Sequence, residues 1–153
     1  MKYELHREIS RVYGYKRVLV RTTEELSELI QALTNPGLND FDLAEEIVDC
    51  RMCFLWLKRQ WERKGFSFDK RMSERKKSYT KEECIYNLSR MQFFLTKQLR
   101  GFEIKTEHLC QMAVVYFIMD YLTEEHSLFS KNAYWTRIKE NKYTKRLENC
   151  ELK

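Results

Sequence analysis

Apolar residues recur along this chain at intervals of three and four positions, which is the spacing of amphipathic helices. The clearest stripe consists of Leu19, Leu26, Leu29, Ile30 and Leu33. No segment alternates in the manner of a half-buried strand, and only four glycines and one proline interrupt 153 residues. We therefore predict an all-α protein, a helical bundle of about five to seven helices.

Breaking and capping residues divide the pattern into segments. The predicted helices cover about residues 3–13, 16–34, 42–64, 69–77, 80–99, 106–122 and 131–148. Asp42 is the predicted N-cap of the third helix, with Glu45 completing a capping box, and Gly65 ends that helix. Thr80 and Glu83 form a second capping box.

Composition narrows the class of protein. No run of 18 apolar residues is present, so no transmembrane helix and no membrane partner are expected, and the polar start of the chain does not resemble a signal peptide. Five cysteines at irregular spacing indicate reduced thiols, mostly in a helical core. These observations favour a cytoplasmic protein. The net charge of +5 suits a polyphosphate or a nucleic acid, although basic residues also simply solvate helix faces.

Two acidic pairs stand out because both have helical i, i+3 spacing: Glu25 with Glu28, and Glu46 with Asp49. The second pair lies in a segment that is apolar on all sides, with Arg51 as the only other charge between positions 46 and 57. Such a helix is normally buried, and a buried carboxylate is costly unless it is paired or bound to a metal. The pattern therefore indicates more than a solvated acidic face.

The short connection between the second and third helices favours antiparallel packing, which would bring the two acidic pairs together. Two like charges about 4 Å apart repel by about 4 kcal/mol at an effective dielectric of 20. A hard divalent cation would reverse this repulsion, and an all-oxygen ligand set favours Mg²⁺, with Mn²⁺ as a substitute, over zinc. Because Mg²⁺ commonly shares its coordination shell with phosphates, a polyphosphate substrate is expected. Glu45 is expected to cap or to support this site, and Glu24 to support it from outside.

Three segments together resemble a known family: Tyr13-Gly14-Tyr15, the run from Glu24 to Leu33 (EELSELIQAL), and the run from Ala44 to Asp49 (AEEIVD). They are similar to the MazG-like nucleoside triphosphate pyrophosphohydrolases, whose motif is E-E-x-x-E, a spacer and E-x-x-D. The spacer here holds 17 residues, and the likeness to small phage and bacterial members extends over about residues 11–62. The resemblance implies an all-α fold related to the dimeric dUTPases.

The same resemblance implies Mg²⁺-dependent hydrolysis of an NTP or dNTP to the monophosphate and pyrophosphate, for cleansing or control of the nucleotide pool. Glu25, Glu28, Glu46 and Asp49 would be the catalytic metal ligands, with Glu24 in or beside the ligand shell. The family also places basic residues near the phosphates. Lys70, Arg71 and Arg75 are the nearest candidates, and Arg146 fits a similar pattern.

Two aromatic residues within the matched region, Trp56 and Trp61, are candidates for stacking on the base, although helical aromatics more often belong to a core. Residues 1–78 would form the catalytic helical unit. The sequence leaves open whether residues 79–153 are a degenerate second copy packed on it, a separate helical extension, or part of one continuous domain. A homo-oligomer, dimer or tetramer, or a pseudo-dimer within one chain is expected accordingly.

Two other functions remain open from the sequence. The first is a non-catalytic helical module that uses its basic clusters to bind nucleic acid or a protein, although nucleic acid is not the expected partner. The second is a catalytically inactive relative that acts as a structural partner. Pyrophosphate release from a nucleotide in the presence of Mg²⁺ separates the enzyme from both.

Overall fold

The computed structural model describes residues 1–152 and is all-helical over that range, as predicted. The helices are α1 (Tyr3–Tyr13), α2 (Tyr15–Thr34), α3 (Asp40–Arg63), α4 (Lys81–Leu99), α5 (Thr106–Glu125) and α6 (Phe129–Glu148), with a 3₁₀ turn at Lys70–Met72. Within residues 1–152, no helix combines the length and the apolar character that crossing a bilayer requires.

The central element is α3, which packs against α1, α2, α5 and α6. Helix α2 lies between α3 and α4, and α4 also contacts α5. Buried side chains from all six helices join in one hydrophobic cluster, which includes Ile9, Leu26, Phe54, Leu88 and Ile118. Residues on both sides of position 78 therefore share a core.

The predicted start of the third helix was wrong because a neighbouring residue caps it instead. Helix α3 begins at Asp40 rather than after Asp42, since the side chain of Asn39 accepts the hydrogen bond from the Asp42 backbone N–H at 2.9 Å. Helix α5 begins at Thr106, with Lys105 at the cap position. The capping box of Thr80 and Glu83 is confirmed.

The basic helix predicted over 69–77 is wrong. Only Lys70–Met72 form a single 3₁₀ turn there. Asp69 accepts from the Arg71 backbone N–H at 2.8 Å, and the Ser73 hydroxyl donates to the Cys110 carbonyl at 2.8 Å. These bonds to side chains and to α5 satisfy the backbone locally and leave no driving force for a longer helix.

A buried polar triad joins the first helix to the last. The indole Nε1 of Trp56 donates to His6 Nδ1 at 2.9 Å, and because an indole only donates, His6 is neutral and carries its proton on Nε2. That Nε2 donates to Glu140 at 2.8 Å, and the Lys2 backbone N–H donates to the same carboxylate at 2.7 Å. Burial lowers the pKa of His6 and Glu140 opposes this, so the ring is held neutral. The triad fixes α1, α3 and α6 relative to one another.

Candidate metal centre

Four carboxylates converge where α2 and α3 face each other. Glu25 and Glu28 of α2, with Glu46 and Asp49 of α3, each offer one oxygen atom, and these four atoms all lie within 4.8 Å of one another. The i, i+3 spacing puts each pair on one face of its helix, and antiparallel packing opposes the two faces. The structure therefore brings together the four acids that the sequence singled out.

The cluster is partly buried, and its hydrogen bonding is incomplete. Glu25 is only 8% exposed, Glu46 and Asp49 are intermediate, and Glu28 is on the solvent side. Oε2 of Glu25 and Oε2 of Glu46 are buried and have no hydrogen-bond donor among the described residues. Buried acceptors without partners are uncommon and costly in folded proteins. These two atoms remain available to a cation.

The electrostatics of the cluster follow from burial and from its own charges. Burial first, and then the charges of Asp49 and Glu28, raise the pKa of Glu25 to about 8. Burial and the charges of Glu28 and Asp49 raise the pKa of Glu46 to about 7. Burial also raises the pKa of Asp49, although Lys139 opposes it. Without a cation, the cluster therefore holds protons near neutral pH.

Two basic side chains contact the cluster, and the sequence analysis named neither as a site residue. Lys139 of α6 places Nζ 2.9 Å from Glu45 and 3.0 Å from Asp49. Burial opposes the ammonium charge of Lys139, but the hydrogen bonds and charges of Glu45 and Asp49 outweigh it and raise its pKa. Arg21 of α2 lies 3.9 Å from Glu25, a long contact.

With Glu45 included, five carboxylates lie beside two basic side chains. When all five carboxylates are ionised, three negative charges have no positive partner in the cluster. Among residues 1–152, neither Glu28 nor Glu46 has an ion-pair partner. The sequence did show Lys139 as part of a basic cluster on the last helix. Nothing in its spacing distinguished it from its basic neighbours, because its place depends on how α6 docks.

Glu45 lies beside the cluster rather than at the helix cap, and Glu24 lies outside the ligand set. Glu45 does not complete a capping box with Asp42, since Asn39 caps the helix, and it instead pairs with Lys139 beside the cluster. Glu24 is exposed and is not one of the converging carboxylates. At 100° per residue, it projects from α2 to one side of Glu25, so the structure does not bring Glu24 to the ligand set.

The three predicted phosphate-binding residues each have a carboxylate partner elsewhere: Lys70 with Asp120 at 3.3 Å, Arg71 with Asp69 at 2.8 Å, and Arg75 with Glu124 at 2.8 Å. Arg51 of α3 shares Asp120 with Lys70. Because Arg51 follows Asp49 by two residues, it projects from nearly the opposite side of α3. Lys70 is therefore next to that opposite side, and the structure does not place it with the four acids. Arg146 lies on α6 with its guanidinium 5.8 Å from the Tyr143 ring.

The two tryptophans that were candidates for base stacking are core residues. Trp56 is 1% exposed and makes edge contacts with the rings of Tyr13 and Tyr143. Trp61 is 0% exposed and donates from Nε1 to the Gln98 side chain at 3.2 Å. Neither indole offers a free face to a nucleobase, which corrects that assignment.

The donor set suits a hard divalent cation. It contains only carboxylate oxygens, with no sulfur or imidazole among the four ligand residues, and two of its oxygens are buried without donors. Oxygen-only sites favour Mg²⁺, Mn²⁺ or Ca²⁺ over zinc. The residues present therefore fit the Mg²⁺ that the resemblance implies.

Comparison of the chain with protein-family models, with curated proteins and with solved structures found no match. The functional interpretation therefore depends on the motifs of the sequence and on the geometry of the four carboxylates.

Proposed function

We propose that this protein is an Mg²⁺-dependent nucleoside triphosphate pyrophosphohydrolase, which converts an NTP or dNTP to the monophosphate and pyrophosphate. The observation that carries the proposal is the convergence of Glu25, Glu28, Glu46 and Asp49 within 4.8 Å. These are the acids that occupy the motif positions in the likeness to MazG-like enzymes. Cleansing or control of the nucleotide pool in the cytoplasm is the role proposed.

The four carboxylates would hold Mg²⁺, which when bound supplies Lewis-acid activation of water and neutralises charge on the phosphates. Glu28 is the most exposed of the four and offers one oxygen to the cluster, so its second carboxylate oxygen can accept the proton of the attacking water. Water attacks the α-phosphorus, the bond to the bridging oxygen breaks, and pyrophosphate leaves. Glu25, buried against α3, orients the ligand set and excludes bulk water.

Lys139 is the basic residue that the geometry favours for contact with the substrate phosphates. Its ammonium already lies in the cluster, 3.0 Å from Asp49, whereas Lys70, Arg71 and Arg75 pair with other acids. Bound Mg²⁺ would offset the negative charge of Asp49, and Lys139 would then offer its ammonium to a phosphate oxygen, with Glu45 as its second partner at 2.9 Å.

The alternative of a nucleic-acid-binding module depends on free basic clusters. Many basic residues of the chain already have an acidic partner. Arg59 pairs with Glu62, and Lys76 pairs with Glu83. Their charge is thus partly neutralised within the chain. This observation favours the enzyme over the binding module.

A homo-oligomer remains part of the proposal. Phe93 on α4 is 54% exposed and Tyr86 on the same helix is 62% exposed, and large aromatic side chains in solvent are common at subunit interfaces. Sedimentation or light scattering on the purified chain measures the oligomeric state directly.

The deciding experiment measures pyrophosphate release from a panel of ordinary and damaged NTPs and dNTPs with Mg²⁺. Glu46→Gln should abolish release while the helical circular dichroism is retained. Glu24→Gln is the matched control, because this neighbouring acid is exposed and outside the ligand set. A folded wild-type protein that releases no pyrophosphate from any nucleotide of the panel rejects the proposal. Salt-sensitive binding of nucleic acid that both variants preserve supports the alternative.

A further inference from the structure

Three aromatic side chains meet at the end of the bundle where α3 begins. Phe41 lies in the first turn of α3, and Tyr134 and Trp135 lie on α6. The ring centroid of Phe41 is 4.7 Å from that of Trp135 and 5.6 Å from that of Tyr134. The indole Nε1 of Trp135 donates to the Phe41 carbonyl at 3.0 Å, which fixes the indole relative to α3. We call these three residues the aromatic platform.

Two rings of the platform, those of Phe41 and Tyr134, are open to solvent, whereas Trp135 is half-buried and packs against the hydrophobic core. Phe41 is 42% exposed and Tyr134 is 41% exposed, whereas Trp56 and Trp61 are at most 1% exposed. Exposed rings held in a fixed arrangement are suited to stack on a planar ligand.

The platform is continuous with the carboxylate cluster. On α3, Phe41, Glu45 and Asp49 are four residues apart and share one face, so the backbone of Phe41 lies about 12 Å along the helix axis from that of Asp49. On α6, Trp135 and Lys139 are also four residues apart. Lys139 Nζ is 5.5 Å from the centroid of the Trp135 ring and also touches Glu45 and Asp49.

This order, with rings, then an ammonium, then four carboxylates, matches the order of base, phosphates and bound cation in a metal–nucleotide complex. Rings offer stacking, the ammonium offers a contact to phosphate, and the acids offer ligands to the cation. Lys139 links the two groups, because its Nζ lies 5.5 Å from the centroid of the Trp135 ring and 3.0 Å from Asp49, so the rings and the acids are close enough for one nucleotide to contact both.

We propose that the aromatic platform of Phe41, Tyr134 and Trp135 stacks on the nucleobase of the nucleotide whose phosphates lie at the carboxylate cluster. The inference depends on the proposed function and assigns to the site its means of holding the base. Stacking uses the π-face that every base has, and the Trp135 N–H is already bonded to Phe41. The platform therefore selects a nucleotide over a bare polyphosphate and favours purines, whose faces are larger, without reading one particular base.

The test compares two probes by titration calorimetry with Mg²⁺: the α,β-methylene analogue of ATP, which cannot be cleaved at the α–β position, and inorganic tripolyphosphate. Wild type should bind the analogue at least about fivefold more tightly than tripolyphosphate. Phe41→Ala and Tyr134→Ala should each weaken binding of the analogue at least about fivefold and leave tripolyphosphate binding unchanged. Phe102→Ala is the control, because Phe102 is 57% exposed in the connection between α4 and α5.

Equal affinity of wild type for the two probes, or unchanged binding of the analogue by both platform variants, overturns the proposal. So does a variant that weakens both probes alike, because that result indicates a structural role. Pyrophosphate release from ATP by wild type is measured separately. Selective binding of the analogue without hydrolysis rejects the proposed reaction and keeps the platform, whereas hydrolysis with equal binding of both probes rejects the platform alone.

Discussion

Lys139 Nζ lies 3.0 Å from the carboxylate of Asp49, although 90 residues separate the two in sequence. The same ammonium also contacts Glu45, one helical turn before Asp49. The last helix of the bundle thus supplies the main counter-charge for an acidic cluster that α2 and α3 build between them. This contact makes the site dependent on the docking of α6.

Replacement of Lys139 tests that dependence. Lys139→Met should lower the free energy of unfolding of the metal-free protein by about 1–3 kcal/mol, because it leaves Asp49 and Glu45 without their cation. Chemical denaturation measures the change. Lys139→Arg keeps the charge and should recover most of the stability, and Lys142→Met, at an exposed position of the same helix, is the control. Equal effects of the two methionine variants would contradict the expectation.

The raised pKa values of Glu25, about 8, and Glu46, about 7, predict how stability depends on pH. The folded protein keeps protons on these carboxyls where the unfolded chain, with an ordinary pKa of 4.5, has lost them. Because the folded state then binds more protons, ionisation of the cluster lowers the free energy of unfolding as pH rises from about 5 to about 8. Denaturation in chelator at several pH values should show this slope, and Glu46→Gln should reduce it.

Addition of a divalent cation should reverse that loss. At pH 8, Mg²⁺ or Mn²⁺ in hundredfold excess over its Kd should stabilise the protein by about 2.7 kcal/mol, because the ion binds the folded cluster and not the dispersed acids. Binding also displaces protons, so the affinity should increase with pH between about 6 and 8. Thermal unfolding with and without the ion measures the effect. An identical rise in Tm for Asp49→Asn would contradict binding at this cluster.

Neutralisation of one acid should stabilise the metal-free fold. Glu46→Gln removes one charge from a group of repelling carboxylates, and we expect it to raise the free energy of unfolding by about 1 kcal/mol at pH 8. This gain is well below the full repulsion of a close pair because water screens the exposed side of the cluster. Glu24→Gln should change the stability little, since Glu24 is exposed and outside the cluster. Strong destabilisation by Glu46→Gln in chelator would instead identify this carboxylate as a structural group.

The triad of Trp56, His6 and Glu140 gives a prediction that is separate from the site. Glu140→Ala should destabilise the protein by about 2–3 kcal/mol, because it leaves the buried His6 Nε2–H and the Lys2 backbone N–H without an acceptor. Glu148→Ala, at an exposed position near the end of the same helix, is the control and should have little effect. Urea denaturation compares the two, and losses of equal size would show that the triad does not contribute.

The helix bounds that the sequence predicted well have local causes. Gly14 adopts φ +77°, which disfavours other residues, and it separates α1 from α2 at the predicted position. The reciprocal bonds of Thr80 and Glu83 start α4 where expected. The segment 69–77 was misjudged because contacts with distant residues, such as the bond from Ser73 to the Cys110 carbonyl, decide its conformation.

In the candidate site too, the sequence predicted the features that have local causes and missed those that depend on distant contacts. The four acids are visible in the sequence because i, i+3 spacing and a short connection are local features. The position of Lys139 and the exposure of Phe41 depend on how α6 packs against α3, which no spacing along the chain records. Trp56 and Trp61 illustrate the converse, since an aromatic residue on an apolar helix cannot be assigned to a core or to a pocket until its neighbours are known.

All four candidate ligands come from residues 25–49, whereas Lys139 lies on α6, 90 residues after Asp49. During synthesis the acidic residues therefore emerge well before their lysine, and the growing chain carries this excess negative charge on its own. A divalent cation held by the four acids would offset this charge and favour the early association of α2 with α3. Binding of an ion at the cluster would then be coupled to folding.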